Sequence, residues 1–378
     1  MEFRIDRTAF AEAVGRAARA LPARTPVPVL GGLLLEADAG RLAVTGFDFE
    51  AAVRVEADAE VMVPGRVLVL GRRLLDVCKV LPDGPVSCAL EASRFTVEAD
   101  GTRFGLSTLP LTEYPALPAP PAPYGTVDAA AFATAVAQVT VAAGRDETLP
   151  LLTGVQLRLD SGEMTLAASD RYRYAVRRLE WQPQAAASGT ALEALLPARR
   201  LLDLARSLGR CGDVVIGWEP GGGLLGFEGG RTRTALRLLD GRLPAYTSLF
   251  DMAGATVAEV EREQLTEAVR RVAVVAEVNS PVRLDFSADG SVLLRAGYGD
   301  DVAAQRLPAT LTGAEEVQVA FNPGYLLDAL TSFESPRVRL ELLGAGQRAL
   351  LHAVPDSGAG AGEAGAHRHL LMSVKQLV

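Results

Sequence analysis

Three features of this sequence were considered first as possible metal or cofactor sites. They are its three histidines, its three cysteines and one glycine-rich run. The histidines are His352, His367 and His369, and no nearby carboxylate or cysteine set completes a metal site around them. The cysteines are odd in number and lack metal-ligand spacing, and Cys78 and Cys211 belong to apolar helical patterns. We therefore expect reduced thiols in hydrophobic cores and no metal site.

The glycine-rich run, residues 221–226, formally matches the GxGxxG pattern of dinucleotide-binding loops. That fingerprint requires a helix directly after the glycines, whereas residues 227–238 have the pattern of a strand after a hairpin turn. No P-loop, GxSxG or HExxH motif occurs, and no constellation for nucleophilic or acid–base catalysis is found. The sequence predicts a non-catalytic protein without a cofactor. An enzyme that uses unrecognised carboxylates remains an alternative.

Arginine is the residue type whose placement is informative. A Leu-Leu-Asp core begins at residues 74, 201 and 326, inside the similar segments 71–79, 198–205 and 323–330. Arg72 and Arg73 precede the first core, and Arg199 and Arg200 precede the second. Flexible arginines on repeated helices are suited to phosphate contacts that do not depend on nucleic-acid sequence.

The repeated segments divide the chain of 378 residues into three similar domains. A second marker recurs in the same order at residues 9–14, 131–136 and 264–269, and a fixed long period of this kind indicates a repeated structural unit. A proline-rich connector at 118–123 marks the first boundary. The predicted domains are 1–122, 123–253 and 254–378.

Each predicted domain is itself a doublet, in which a strand, a helix and several antiparallel strands occur twice. The fold class is therefore α+β, with antiparallel sheets on the outside and helices on one face. A Gly/Ala-rich loop at 356–366 is expected to be mobile, with His367 and His369 in or beside it. Helices are predicted near 8–19, 71–80, 128–141, 198–208, 263–276 and 323–333.

Charge is distributed unevenly between these helices and the rest of the chain. The formal net charge is −8, yet the predicted helices together carry a net positive charge. Three domains joined end to end then present a basic helical surface and an acidic exterior, an arrangement that favours phosphate contact on one side only. The N-terminus does not have the pattern of a signal peptide, and no apolar run approaches the ~20 residues of a membrane span. These features predict a cytoplasmic protein without membrane contact.

Several motifs together resemble one known family. They are the threefold repeat, Leu109-Pro110 with Tyr114-Pro115, residues 240–246, residues 321–330 and the terminal Leu370-Leu371-Met372. In this order they are similar to the bacterial sliding clamp, the beta subunit of DNA polymerase III. The resemblance implies a head-to-tail homodimer whose six domains form a ring around duplex DNA, with the helices lining the hole.

The same resemblance implies a non-catalytic processivity subunit that is associated with the nucleoid. Its partners would be double-stranded DNA, bound without sequence preference, and short peptides of the DNA polymerase III alpha subunit, the clamp loader and repair polymerases. DNA contacts are expected at Arg24, Arg73, Arg145 and Arg199. The subunit interface is expected at Arg73, Arg94, Arg103, Phe104, Leu106, Val274, Val275, Asp300 and Asp301. The peptide pocket is expected at Leu152, Ser169, Arg171, Tyr172, Arg173, Tyr174, Pro244, Leu249, Leu370 and Met372.

The expected peptide pocket departs from the family pattern in three places. Tyr174 stands where the family commonly has a smaller aliphatic residue, Ser373 stands where proline often follows the terminal methionine, and Ser248 stands where an arginine is common. These departures support the hypothesis of a divergent or second clamp copy with altered affinity for partners or inhibitors. A peptide-binding scaffold that no longer encloses DNA is the corresponding alternative function.

Overall fold

The fold was derived from a computed structural model, which describes residues 1–22, 24, 27–184, 191–277, 280–354 and 366–375. The described residues form six α-helices, each of which follows a strand directly or within a residue. The helices are α1 (Arg7–Ala17), α2 (Gly71–Val80), α3 (Ala129–Thr140), α4 (Ala198–Leu208), α5 (Arg262–Val272) and α6 (Pro323–Thr331).

Side-chain hydrogen bonds and a proline mark the N-terminal ends of two helices. Asp6 caps the N-terminus of α1, where its carboxylate accepts a hydrogen bond of 3.0 Å from the amide of Ala9. Asn322 caps α6 in the same way and Pro323 occupies its first turn, where the missing amide hydrogen costs nothing. Each predicted helix is present, with end points that differ by a few residues.

The strands form three antiparallel sheets of 14, 9 and 4 strands. In chain order the first sheet contains β1 (Glu2–Asp6), β2 (Gly32–Asp38), β3 (Arg41–Phe47), β4 (Ala51–Asp58), β5 (Glu60–Val63), β6 (Gly65–Leu70), β7 (Pro85–Glu91), β8 (Arg94–Ala99), β9 (Thr102–Leu109), β10 (Pro123–Asp128), β14 (Gln182–Pro183), β16 (Asp213–Trp218), β17 (Leu224–Gly229) and β18 (Thr232–Arg237).

The other two sheets contain the remaining strands. The nine-stranded sheet contains β11 (Gly154–Leu159), β12 (Glu163–Ser169), β13 (Arg173–Glu180), β15 (Leu192–Pro197), β19 (Thr256–Glu261), β23 (Thr310–Thr312), β25 (Arg337–Leu342), β26 (Arg348–Ala353) and β27 (His367–Met372). The four-stranded sheet contains β20 (Val282–Ser287), β21 (Ser291–Tyr298), β22 (Asp301–Pro308) and β24 (Glu316–Phe321).

The sequence repeat reappears as a repeat of strand order. The run β6-β2-β3-β4 recurs as β15-β11-β12-β13 and again as β24-β20-β21-β22. The run β9-β8-β7-β1-β5 recurs as β18-β17-β16-β10-β14 and as β27-β26-β25-β19-β23. Three copies of a doublet of antiparallel sheet and helix confirm the predicted α+β architecture.

The chain forms two compact units: Met1–Ala130 with Trp181–Ser188 and Asp203–Leu238, and Ala131–Glu180 with Gly189–Leu202 and Leu239–Val378. A core in the first unit packs Phe3, Phe10 and Phe95 between α1, α2 and their strands. A core in the second unit packs α5 and α6 against Phe286, Phe321 and their neighbours. In both units, hydrophobic burial between one helix layer and one sheet face holds the repeated doublet together.

Some local expectations need correction. His367 and His369 were expected in or beside a mobile loop, but both lie in β27 and are buried, because alternate residues of this strand face a core. Residues 356–365 of that predicted loop lie outside the described residues. Cys78 and Cys88 are buried as expected, whereas Cys211 is only half-buried.

The glycine-rich run is a turn, as predicted, with Gly221 and Gly223 at positive φ. The strand β17 already begins at Leu224, so residues 224–237 form a hairpin and no helix follows the glycines. Among the described residues, no helix is long and apolar enough to cross a membrane.

Candidate partner groove, DNA-facing arginines and subunit edges

The turn between β12 and β13 is held by an aspartate. Asp170 Oδ1 accepts hydrogen bonds from the amides of Tyr172 (3.0 Å) and Arg173 (3.1 Å), while Arg171 adopts a left-handed φ of 83°. The turn between β3 and β4 is built in the same way around Asp48, with Phe49 at a φ of 70°. The repeat therefore places matching turns at the start of β4 and β13.

Arg173 fixes this turn in place. Its side chain is 4% exposed and forms ion pairs with Asp170 (2.8 Å) and with Asp328 of α6 (2.6 Å). The guanidinium also lies over the Tyr325 ring, 4.4 Å from its centre. Tyr172 stacks on the same Tyr325 ring, with the two ring centres 6.1 Å apart. Arg173 was expected as a pocket residue, and it is a buried residue that lines the cleft described below.

The expected pocket residues Leu152, Tyr174, Leu249 and Leu370 pack in one apolar cluster of the second unit. This cluster, together with the adjoining Ser169, Pro244 and Met372, is called the partner groove below. Leu152 and Leu249 are half-buried and Met372 is 39% exposed, so these three side chains offer apolar surface to solvent. Leu370 is buried beneath them. Partly exposed apolar groups above a packed base are suited to capturing side chains of a short peptide.

Tyr174 lies at the base of the partner groove. Its hydroxyl donates a hydrogen bond of 3.0 Å to the Pro244 carbonyl. Its ring contacts Tyr246 and Phe250, with ring centres 5.6 Å and 5.9 Å away. Burial raises the pKa of the Tyr174 hydroxyl, so the side chain remains a neutral hydrogen-bond donor at physiological pH.

Sequence reasoning missed part of this cluster. Tyr246, Phe250 and Leu151 pack against Tyr174 and Leu370, although only Pro244 and Leu249 were expected from that connector. The signal was present, because Tyr246, Leu249 and Phe250 have the i, i+3, i+4 spacing of one apolar face. The helical turn there is short, with amides of Leu249 and Phe250 donating to the Tyr246 carbonyl.

A cleft of about 450 Å³ adjoins the partner groove. Arg145, Arg171, Tyr172 and Tyr325 line it, together with Leu152, which also belongs to the groove. The structure thus brings one expected DNA contact, Arg145, close to the expected peptide site. Among the described residues, no group of three or more histidine, cysteine, aspartate or glutamate residues is placed to hold a metal ion.

The four arginines expected to contact DNA are all exposed. Arg24 lies after the short helical turn that follows α1, Arg73 lies in α2, Arg145 follows α3 and Arg199 lies in the first turn of α4. Arg73 and Arg199 therefore lie on helices, whereas Arg24 and Arg145 lie in the segments that follow α1 and α3. An exposed arginine side chain reaches a phosphate without a desolvation penalty from burial.

The strand β9 carries the basic half of the expected subunit interface. Between residues 102 and 107, the described part of the chain pairs with it along one side only, through β8. Phe104 and Leu106 are half-buried there, and Arg94 is exposed. Arg103, which is also expected at this interface, is exposed and forms ion pairs of 2.9 Å with Glu91 and with Glu98 of its own sheet.

The strand β22 carries the acidic half. It is the edge strand of the four-stranded sheet and pairs only with β21 among the described residues. Asp300 and Asp301 are exposed, Val274 is 83% exposed and Val275 is half-buried. The sequence missed two further apolar side chains at this edge, since Tyr298 and Val302 are 77% and 66% exposed. A cluster of exposed apolar side chains on an unpaired strand edge is typical of an interface.

Three domain models of one family match the chain in succession: the N-terminal, central and C-terminal domains of the DNA polymerase III beta subunit, at residues 1–118, 126–245 and 247–362. The chain belongs to the DNA polymerase III beta subunit family. It is 46% identical to the beta sliding clamp of Streptomyces coelicolor, over 99% of both chains. It is also 44% identical to the beta sliding clamp homolog GriR of Streptomyces muensis, over 89% of both chains.

Solved clamps have the same fold. The DNA polymerase III beta subunit of Pseudomonas aeruginosa superposes on the complete chain with a TM-score of 0.89 at 25% identity. A second structure of the Pseudomonas clamp, bound to griselimycin, gives a TM-score of 0.90 at the same identity and coverage. The sequence-based identification of a sliding clamp with three clamp domains is therefore confirmed.

Proposed function

We propose that this protein is a sliding clamp that encircles duplex DNA as a head-to-tail dimer and tethers polymerases through the partner groove. The observation that carries the proposal is the uninterrupted match to all three clamp domains in order. The protein then acts as a non-catalytic processivity subunit in the cytoplasm, at the nucleoid. We propose domain boundaries at 1–122, 123–253 and 254–378.

Ring closure is supported by two strand junctions within the chain. In the first unit β4 pairs with β18, with Ala51 opposite Leu236 and Val53 opposite Thr234. In the second unit β13 pairs with β27, with Arg173 opposite Leu371 and Ala175 opposite His369. In both cases the last strand of a four-strand run joins the first strand of a five-strand run.

The strands β22 and β9 are the third pair of this kind in the repeat, and each has an open edge. Carrying the register over places Asp301 of one subunit opposite Leu106 of the next, and Ala303 opposite Phe104. Asp300 and Asp301 then approach the basic side of β9, where Arg73 and Arg94 are exposed. Head-to-tail contacts of this kind close a ring when the rotation returns to the first subunit, here after two subunits.

DNA binding is supported by the exposed arginines of the helical segments. Arg24, Arg73, Arg145 and Arg199 would contact phosphates of duplex DNA without reading its sequence. Such contacts release counterions, so retention through charge alone weakens as salt increases. Enclosure by the ring does not depend on those contacts, and the clamp is therefore expected to slide while it remains on the DNA.

Peptide binding is supported by the exposed apolar rim of the partner groove. The griselimycin-bound Pseudomonas clamp shows that a relative with this fold binds a ligand. The occupants we propose are short segments of the DNA polymerase III alpha subunit, the clamp loader and repair polymerases, whose apolar side chains would contact Leu152, Leu249 and Met372.

A divergent clamp that works mainly as a partner- or inhibitor-binding scaffold is the second candidate. Tyr174 favours it, because a tyrosine that is hydrogen-bonded to the opposite wall changes the base of the groove. Such a protein would keep the partner groove and lose the subunit joint or DNA enclosure.

A double-cysteine experiment tests the proposed joint. The carried-over register places position 103 of one subunit opposite position 304 of the next, within the distance that a disulfide spans. The Arg103→Cys/Ala304→Cys variant is expected to form covalent dimers on mild oxidation, visible on a non-reducing gel. The Arg103→Cys/Arg306→Cys variant, two residues out of register, is the matched control. Equal cross-linking in both variants, or none in either, contradicts the proposed joint.

A further inference from the structure

Tyr174 occupies the central position of the partner groove. On β13 it lies opposite Ser169 of β12 on one side and opposite Leu370 of β27 on the other, and both of these belong to the groove. Its side chain is 4% exposed. The tyrosine ring therefore fills the space at the point where the two walls of the groove meet.

The ring reaches from the sheet across to the connector that forms the opposite wall. The hydroxyl donates to the Pro244 carbonyl at 3.0 Å, and the ring packs against both Tyr246 and Phe250. Tyr246 and Phe250 in turn contact each other with ring centres 5.3 Å apart. Because each ring is held by the other two, displacing Tyr174 would break a hydrogen bond and two aromatic contacts at once.

A leucine at this position would have neither the ring nor the hydroxyl. It would leave the sheet and connector walls unbridged, and a close-packed interior has no other group ready to fill the gap. A bulky apolar side chain of a bound peptide could then enter. In the wild-type protein Tyr174 keeps that space filled, and a peptide meets only the partly exposed apolar surfaces of Leu152, Leu249 and Met372.

We propose, building on the proposed clamp function, that Tyr174 determines the specificity of the partner groove by occupying the space of a bulky anchor side chain. The groove accepts short peptides with a small side chain at the anchor position and discriminates against peptides with an aromatic one. The aromatic wedge of Tyr174, Tyr246 and Phe250 is the part of the site that selects among partners.

Two fluorescein-labelled pentapeptides test this proposal, one ending in leucine-phenylalanine and a matched one ending in leucine-alanine. Fluorescence anisotropy gives the Kd of each for wild type, Tyr174→Leu and Tyr174→Phe. Tyr174→Leu is expected to bind the phenylalanine peptide at least about tenfold more tightly, since a whole aromatic side chain becomes buried. Its affinity for the alanine peptide changes little. Tyr174→Phe keeps the ring and loses the hydrogen bond, so its gain is smaller.

Tyr114→Leu is the matched control for general loosening. Tyr114 belongs to a separate apolar cluster with Leu109 and Leu117 in the first unit, and its loss is expected to leave both affinities unchanged. An unchanged Kd of Tyr174→Leu for the phenylalanine peptide overturns the role of Tyr174, as does an equal gain for both peptides.

This proposal rests on the proposed clamp function, and the Leu249→Glu variant distinguishes a failure of the one from a failure of the other. Leu249 belongs to the groove and is half-buried, and a carboxylate there is expected to weaken binding of both peptides at least about tenfold. If Leu249→Glu binds both peptides as wild type does, the groove itself is not the peptide site, whatever Tyr174 does.

Discussion

At the residue scale, two buried groups behave differently from ordinary surface charges. Arg173 is charged and is satisfied by two carboxylates and an aromatic ring. His369 is completely buried, and neither of its ring nitrogens has a hydrogen-bond partner in the part of the chain that is described. Its neighbour His367 is satisfied by the Ser332 hydroxyl and the Val176 carbonyl. The charge on Arg173 is paired and stabilises the fold, whereas a charge on the buried His369 would destabilise it.

The buried histidines predict a loss of stability in mild acid. Burial lowers the pKa of His367 to about 4 and holds the pKa of His369 well below its ordinary value. The unfolded chain binds these protons near pH 6.5, so the free energy of unfolding is fully developed above that pH and falls as the pH drops towards 4. Each histidine contributes a slope of up to about 1.4 kcal/mol per pH unit.

Urea unfolding at several pH values between 7.5 and 5 measures this slope. His369→Leu removes one of the two titrating groups and keeps an apolar side chain in the core, so its slope is expected to be clearly shallower than that of wild type. An identical pH dependence in the two proteins would show that His369 does not account for the effect.

The ion pairs of Arg173 predict a large loss in the free energy of unfolding when its side chain is truncated. Arg173→Ala leaves Asp170, which is 12% exposed, without its counter-charge, and breaking a buried pair in this way costs about 3 kcal/mol. Urea unfolding at pH 7.5 checks this value. Arg158→Ala is the control, because Arg158 is 51% exposed and pairs with Asp160 on the surface, where an ion pair contributes less than about 1 kcal/mol. Equal losses for the two variants would contradict the supporting role of Arg173.

At the element scale, the sequence predicted the helices, the doublets and the threefold repeat because each depends on local pattern. The Leu-Leu-Asp cores and the Asp6 cap can be recognised from the local sequence alone. The junctions β4–β18 and β13–β27 were not predicted, since pairing between strands distant in sequence depends on three-dimensional packing. The same reason explains why the ion pairs of Arg103 were not predicted: its two carboxylate partners, Glu91 and Glu98, lie on β7 and β8.

The candidate site shows the same division. The resemblance supplied the expected groove residues one by one, but the burial of Tyr174 and Arg173 emerged only from the fold. Tyr298 and Val302 were missed because exposed apolar residues on an edge strand have the same alternating pattern as buried ones. Their exposure, together with that of Val274, marks the edge of β22 as a surface that a second subunit would cover.

Because apolar side chains are exposed at the edge of β22, we predict that a single charged substitution there separates the subunits. Val274→Glu is expected to convert a dimer into a 39.8 kDa monomer, because a carboxylate buried in an apolar interface without a partner is unfavourable. Light scattering after size exclusion gives the mass. Met62→Glu, on β5 at the end of the 14-stranded sheet and 46% exposed, is expected to remain a dimer. A wild-type monomer at micromolar concentration, or a dimeric Val274→Glu protein, would contradict the proposed joint.

At the scale of the whole molecule, charge and topology have separate roles in the proposed function. The chain carries a formal charge of −8, so its overall field repels DNA, and attraction depends on the arginines of the helical segments. Contacts of that kind weaken as salt increases. A closed ring remains on circular DNA at a salt concentration at which those contacts no longer hold the protein, and this difference separates enclosure from ordinary binding.

The most direct test of the clamp proposal is retention of the labelled dimer on nicked circular DNA after loading by a competent clamp loader. The proposal predicts that the protein elutes with the DNA during gel filtration in high salt and is released when a restriction enzyme linearises the circle. Absence of retention on the circle, or equal retention on circular and linear DNA, would contradict enclosure and would leave the partner-binding scaffold as the better account.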